Sequence, residues 1–208
     1  LAAISNYFER QLDPWFVGKK AVVTAGPTFE AIDPVRFIGN HSSGKMGIAL
    51  AETLAEKGVD VELILGPTAQ QSIHERVSVT HVTSAEEMLK AVQERWSQAD
   101  LGFFAAAVAD YRPVNKADQK IKKDSDNLQI ELKKNPDILA WAGAQKREDQ
   151  LLIGFALETE NLQANGKKKL VKKNFLESIS DYFFAFGDFF FSSASRRFER
   201  EMFSSRAF

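Results

Sequence analysis

The strongest constraint on this chain's fold is a rhythm. Short apolar runs, each closed by Gly, Pro or a polar loop, alternate with segments of helical pattern. "KKAVVTAG" (residues 19–26) reads as a buried strand running into a Gly-Pro turn, and "VDVELIL" (59–65) as a second strand ending at Gly66-Pro67. "DLGFFAAAVAD" (100–110) reads as a third and "LLIGFALET" (151–159) as a fourth. Between them, "GKMGIALAETLAEKG" (44–58) gathers its apolar residues on one side and stops at Gly58, as a helix does. "SAEEMLKAVQERW" (84–96) begins with Ser84 and carries Glu87 three residues later, a capping box, after which Met88, Val92 and Trp96 mark one helical face. Asn135-Pro136-Asp137 predicts a third helix start, with Asn135 as cap.

Strands alternating with helices at this spacing predict an α/β fold: a Rossmann-like, doubly wound, mostly parallel sheet with helices on both faces. Ligands of such sheets sit beyond the carboxyl ends of the strands. The stretch "KIKKDSDNLQIELKKNPD" (120–137), with Asp-Asn at a turn and alternating Leu128, Ile130 and Leu132, predicts a lysine-rich hairpin or flap. The 208 residues suffice for one sizeable domain.

Composition excludes several classes. With 27 basic and 28 acidic residues the net charge is −1, so the chain as a whole is no nucleic-acid binder. Its lysines crowd two regions, around 120–134 and 167–173, a pattern suited to a small, highly charged anion. The absence of cysteine excludes disulfides and thiol nucleophiles and fits a reducing, cytoplasmic setting. No apolar run approaches the roughly 20 residues of a membrane span, and no signal peptide is evident. The start at Leu1 rather than Met points to a piece of a longer polypeptide.

"GNHSSGKMG" (39–47) nearly fits a phosphate-binding P-loop, but a P-loop follows its strand directly and needs a hydroxyl where this chain has Met46. Two readings stay open. Asn40, His41, Ser42, Ser43 and Gly44 form an anion-binding approach to a helix N-terminus, or simply a helix start rich in glycine. The fingerprint G-x-G-x-x-G is missing after the first strand, which argues against a dinucleotide oxidoreductase. In "AAAVADYRP" (105–113), small residues let a flat base or sugar approach the backbone while Asp110 accepts a hydrogen bond; tight packing with a surface Asp explains the stretch equally well. His41, His74 and His81 show no metal-ligand spacing and the acids form no cluster, so Mg²⁺ is expected only with a nucleotide.

Taken together, "TAGPTFEAIDPVRFIGNHSSGKMG", "AAAVADYRP", "KIKK", "KNPDIL", "GFALET" and "KKKLVKKN" resemble the phosphopantothenoylcysteine synthetase family, in its bacterial CTP-dependent form. That form is the C-terminal half of a bifunctional protein of coenzyme A biosynthesis. The resemblance covers roughly residues 19–174. It implies a ligase that activates 4′-phosphopantothenate with CTP, releases pyrophosphate, and passes the acyl group from CMP to the amine of cysteine. By motif position it implies that Phe104, Ala105, Ala106 and Asp110 lie along the cytidine, and that Lys120 meets the triphosphate. Asn135, Pro136, Asp137 and Ile138 would form a further nucleotide-binding turn, Phe155 would touch the nucleotide, and Lys169 and Lys173 would add positive charge. Asn40 would hold the acyl carbonyl of the intermediate. It also implies a homodimer, a flap spanning residues 113–134, normal fusion to a flavin-dependent decarboxylase, and no FMN in this chain.

The domain reading is a helix and linker over 1–18, the nucleotide-binding synthetase domain over 19–174, and an atypical segment over 175–208. Ten of the 17 Phe fall in that last segment, without a period of 2.0 or 3.6, and it departs from the strand, Asn-containing loop and hairpin of the family pattern. Gly39 stands where the family often has Ser, a change expected to be harmless.

Overall fold

A computed structural model describes residues 14–122, 127–156 and 177–180. Six strands form one parallel sheet: β1 (Lys20–Ala25), β4 (Asp60–Leu65), β5 (Val77–His81), β6 (Leu101–Phe104), β9 (Leu151–Ala156) and β10 (Glu177–Ser180). Their spatial order is β10-β9-β6-β1-β4-β5. Counted along the chain within the sheet this is 3-2-1-4-5-6, the doubly wound order, which reverses between β1 and β6. The registers place Thr24 beside Ile64 on one side and beside Phe104 on the other, so the ends of β1, β4 and β6 lie level.

The strands are apolar on both faces because helices cover both. On one face Val23, Leu63 and Leu65 are buried with Ile48, Ala51 and Leu54 of α1 (Lys45–Glu56). On the other, Val22 and Ile64 pack with Met88, Val92 and Trp96 of α2 (Ala85–Trp96), and with Ile138 and Ala142 of α3 (Ile138–Ala144). Adjacent residues Val22 and Val23 thus face opposite layers, as the two-residue period of a strand requires. Truncating a fully buried Leu63 to Ala would cost about 2–5 kcal/mol. Trp96 is buried with its Nε1–H donating 3.1 Å to the carbonyl of Ala142, so its polar edge is satisfied where α2 meets α3.

The capping box of α2 is present. Ser84 Oγ accepts from the Glu87 N–H at 3.2 Å, while Glu87 Oε2 accepts from the N–H groups of Ser84 and Thr83. The third helix differs from expectation. Its N-cap is Asp137, whose carboxylate accepts from the Ala140 N–H at 3.0 Å, and Asn135 lies outside the helix.

Several elements go beyond the sequence pattern. The loop after β1 contains an antiparallel hairpin, β2 (Phe29–Ala31) and β3 (Phe37–Gly39), with Phe29 and Phe37 stacked at 3.9 Å. The edge strand β5 alternates with polar residues and carries little apolar signal. Of the alternating run Leu128, Ile130 and Leu132, only Leu132 falls in a strand, β8 (Leu132–Lys134), which pairs with β7 (Tyr111–Pro113). Beyond residue 175, where no strand is expected, β10 adds the sixth strand alongside β9. Among the described residues no helix is long and apolar enough to cross a membrane.

Candidate active site

The missing glycine fingerprint is present in space. Gly26 ends β1 with φ 77°, and Gly44, at φ 74°, precedes α1; both occupy the left-handed region that favours glycine. A Cβ on Gly44 would sit 3.3 Å from the Gly26 Cα, and one on Gly47 would sit 2.5 Å from the Ala25 Cβ. The three jobs of the fingerprint, a tight turn, close backbone approach and helix–strand contact, are therefore performed by Gly26, Gly44 and Gly47. Residues 27–43, with the β2–β3 hairpin, are looped out between the first and second.

At the switch point the loops after β1 and β6 are laced together. The Ala105 N–H donates to the Thr24 carbonyl at 3.0 Å, and the Ala107 N–H to the Gly26 carbonyl at 2.9 Å. The Ala109 N–H donates to Thr28 Oγ1 at 2.9 Å. Thr24 and Thr28 are buried, so these bonds are shielded from water. The small residues of "AAAVA" allow the backbones to run this close.

Above this floor lies a cavity of about 560 Å³, within the range of small-molecule sites. Thr24, Phe104, Ala106 and Asp110 form one wall, at the ends of β1 and β6. Asn135, Pro136, Asp137 and Ile138 form another, and Phe155 closes the β9 side. Ala105 is tied into the floor through its N–H rather than lining the space. Tyr111 and Lys134 also line it. Neither was singled out from sequence as a site residue, since β7 and β8 meet only through long-range pairing.

Asn135 braces this wall. Its Nδ2 donates 2.7 Å to the Ala109 carbonyl, its own N–H donates 2.8 Å to the Asp110 carbonyl, and its Oδ1 accepts 2.7 Å from Arg112 Nη1. Arg112 is held in turn by Glu86, with Nη2 to Oε1 at 2.5 Å. Asn40 reaches the same loop from the hairpin, its Nδ2 donating to the Val108 carbonyl at 3.0 Å. Val108 lines the cavity; Asn40, bonded to its carbonyl, is not itself part of the wall.

The other candidates lie elsewhere. His41 is exposed. Ser42 Oγ and Ser43 Oγ accept from the N–H groups of Gly44 and Lys45 at 3.3 and 3.5 Å, and Gly44, the N-cap of α1, has no side chain of its own with which to cap it. Lys120 is exposed and is not part of the cavity wall. Lys169 and Lys173 lie outside the described residues. Among the described residues no group of three His, Cys, Asp or Glu could hold a metal ion. Gly39 is tighter than expected: a Cβ there would approach the Thr28 carbonyl oxygen to 2.8 Å and the Phe29 ring to 2.7 Å.

One carboxylate, in the β2–β3 turn, is strongly perturbed. The hydrogen-bonded Arg36 side chain, aided by the N–H groups of Val35, Ile121 and Arg36, holds Asp33 well below the usual carboxylate range, against the opposing effect of desolvation. It is ionised at any working pH.

Relatives of the chain point the same way. It is 45% identical over 172 residues to the coenzyme A biosynthesis bifunctional protein CoaBC of Haemophilus influenzae, covering 83% of this chain and 42% of the relative. It is 44% identical over 174 residues to a protein named cysteine/cysteine sulfinic acid decarboxylase from an unknown prokaryotic organism, covering 82% of this chain and 48% of that one. The chain thus spans less than half the length of these two relatives. The crystal structure of the C-terminal domain of a CoaBC protein superposes with a TM-score of 0.72 at 42% identity, covering 81% of this chain and 80% of the other. Residues 16–180 match the family described as DNA/pantothenate metabolism flavoprotein C-terminal domain. With the doubly wound sheet, the split glycine fingerprint and the laced switch point all lying within that span, the chain belongs to this family.

Proposed function

We propose that this chain is a phosphopantothenate–cysteine ligase domain that activates its acid with CTP. The observation that carries the reading is the cavity at the switch point, in a chain of this family. One flank, Phe104 and Ala106, is flat and small enough for a pyrimidine ring, and the exposed Asp110 at its edge offers an acceptor to an amino or hydroxyl group. Lys134 supplies positive charge on the same rim.

In the first step the carboxylate of 4′-phosphopantothenate attacks the α-phosphorus of CTP and pyrophosphate leaves. In the second the cysteine amine attacks the acyl carbonyl, CMP leaves and the amide forms. Such transfers depend on alignment and on charge placed where charge develops. Asn40 contributes a neutral amide beside the cavity wall. One of its hydrogens is committed to Val108, and the other has only a 3.5 Å approach to the Ala107 carbonyl, which leaves it available to an acyl oxygen. Lys120 serves the triphosphate from the flap. Mg²⁺ enters as part of the nucleotide substrate. A homodimer, with fusion to a decarboxylase in the longer protein, completes the proposal.

A dinucleotide oxidoreductase is disfavoured at one particular place. The second strand of such a fold ends near an acid that binds the ribose, whereas β4 ends at Leu65, followed by Gly66 and Pro67. Pyrophosphate release from CTP, dependent on both 4′-phosphopantothenate and the purified chain, tests the proposal. No release, with tight binding of NADPH instead, would end it.

A further inference from the structure

An ion pair in the β2–β3 turn holds a segment that lies 85 to 88 residues further along the chain. The Asp33 side chain is 0% exposed. Its Oδ1 accepts from the N–H groups of Val35 at 2.9 Å and Arg36 at 2.8 Å. Its Oδ2 accepts from Arg36 Nε at 3.0 Å and Nη2 at 2.5 Å, and from the N–H of Ile121 at 3.1 Å. Arg36 Nη2 then donates to the Ile121 carbonyl at 3.0 Å. Both backbone groups of Ile121 are thus bonded to one ion pair, as a neighbouring strand would bond them. The Ala117 N–H adds a second tie, donating to the Ile32 carbonyl at 2.9 Å.

The chemistry of Oδ2 shows what this carboxylate is for. Oδ1 alone closes the turn, a task Asn or Ser performs equally well. Oδ2 faces three donors, and the amide nitrogen of an Asn would oppose all of them. Two of those donors belong to Arg36, whose Nη2 also reaches the Ile121 carbonyl, and the third is the Ile121 N–H, so the ionised acid serves the pair that holds Ile121. Ile121 is half-buried, whereas Lys120 and Lys122 on either side are exposed. A lysine is a point charge on a flexible four-carbon stem, so its reach is set by where its backbone is held.

From this we infer that Asp33 and Arg36 are positioning residues for Lys120, clamping the backbone at Ile121 and so fixing the root of the lysine stem. What Lys120 does rests on the ligase reading; what holds it rests on geometry alone. The test uses the full chain with Asp33→Asn, and Arg36→Lys as a second variant that keeps the charge and loses the planar fork. Amide exchange at Ile121 should accelerate by about 10- to 100-fold in either variant, the loss of a charge-assisted bond. Pyrophosphate release, followed with labelled CTP over hours, should fall about 100-fold in Asp33→Asn, as for a reacting group displaced by about 1 Å. In a Lys120→Gln background the same substitution should cost less than about threefold, because the lysine it places is gone. Equal losses in both backgrounds, or unchanged exchange at Ile121, would overturn the inference. If Asp33→Asn does not fold, Arg36→Lys carries both measurements. If the unsubstituted chain releases no pyrophosphate, the ligase reading fails and exchange at Ile121 alone decides the clamp.

Discussion

Replacing Asn135 by Ala removes the brace between the β6 loop and the approach to α3, and its cost follows from the bonds lost. The Ala109 carbonyl, in a residue 2% exposed, loses its 2.7 Å donor and is left buried without compensation, at about 1–3 kcal/mol. Arg112 loses a charge-assisted bond of 2.7 Å but keeps Glu86 and is 20% exposed, so this adds about 1 kcal/mol. The backbone bond from Asn135 to Asp110 survives the substitution. The total is about 2–4 kcal/mol, or a fall in Tm of about 4–16 °C for a chain of this size. Asn135→Asp separates the two contributions: it keeps the acceptor for Arg112 while setting a carboxylate oxygen against the Ala109 carbonyl. Calorimetry of both variants checks the account, with nucleotide affinity measured alongside because the braced residues line the cavity. An Asn135→Ala protein that melts within about 1 °C of the unsubstituted chain would refute the reasoning, since it would show that neither bond bears on stability.

Gly66→Ala should destabilise far more than a surface change, because the new Cβ would lie 1.8 Å from the Pro27 carbonyl oxygen and backbone must move; a drop of under about 1 kcal/mol by denaturant titration would contradict the packing of the β1 and β4 turns. Asn40→Asp should leave acyl-cytidylate formation largely intact while slowing amide formation by about 100-fold or more, as a carboxylate opposes the developing acyl oxyanion; equal loss in both half-reactions, read by following labelled CTP, would remove Asn40 from that role. The Asp33 clamp sets an acid limit. Its folded carboxyl titrates below the ordinary 3.8, so the unfolded chain binds more protons in that range. Its contribution is complete above about pH 5 and is lost as pH falls from there toward the depressed value. The stability difference between the unsubstituted chain and Asp33→Asn should therefore shrink below pH 5, and a constant difference from pH 7 to pH 3 would count against it.

Most of the parallel sheet was legible because a strand covered on both faces must be apolar along its whole length. Val22 and Val23 serve opposite layers, yet both are buried, and a continuous run records that without knowledge of the fold. The capping box of α2 was equally legible, since Ser84 and Glu87 meet within one turn. The edge strand β5 and the short strands β7, β8 and β10 were not. β5, β7 and β8 are largely exposed or half-buried, so their apolar signal is thin, and β10 is only four residues long.

The site divides along the same line. Residue types at the ends of β1 and β6, small residues followed by Asp110, could be read as a ligand approach from local sequence. The glycine fingerprint could not, because the β2–β3 hairpin separates Gly26 from Gly44 along the chain while the fold returns them to contact. Sequence by itself determined the layered α/β architecture, the helix α2 with its cap, and the stretches that gather at the carboxyl edge of the sheet, because those depend on periodicity and on bonds within a few residues. Only the tertiary structure decided that Asn135 is a brace and Asp137 the cap, that Lys134 rather than Lys120 lines the cavity, and that Asp33 reaches Ile121. The Asn135 and Asp33 assignments rest on hydrogen bonds between distant segments, and no local pattern encodes which donor a carboxylate will meet once the chain has closed on itself; once Asn135 is bound to the β6 loop, the cap falls to Asp137, three residues from Ala140.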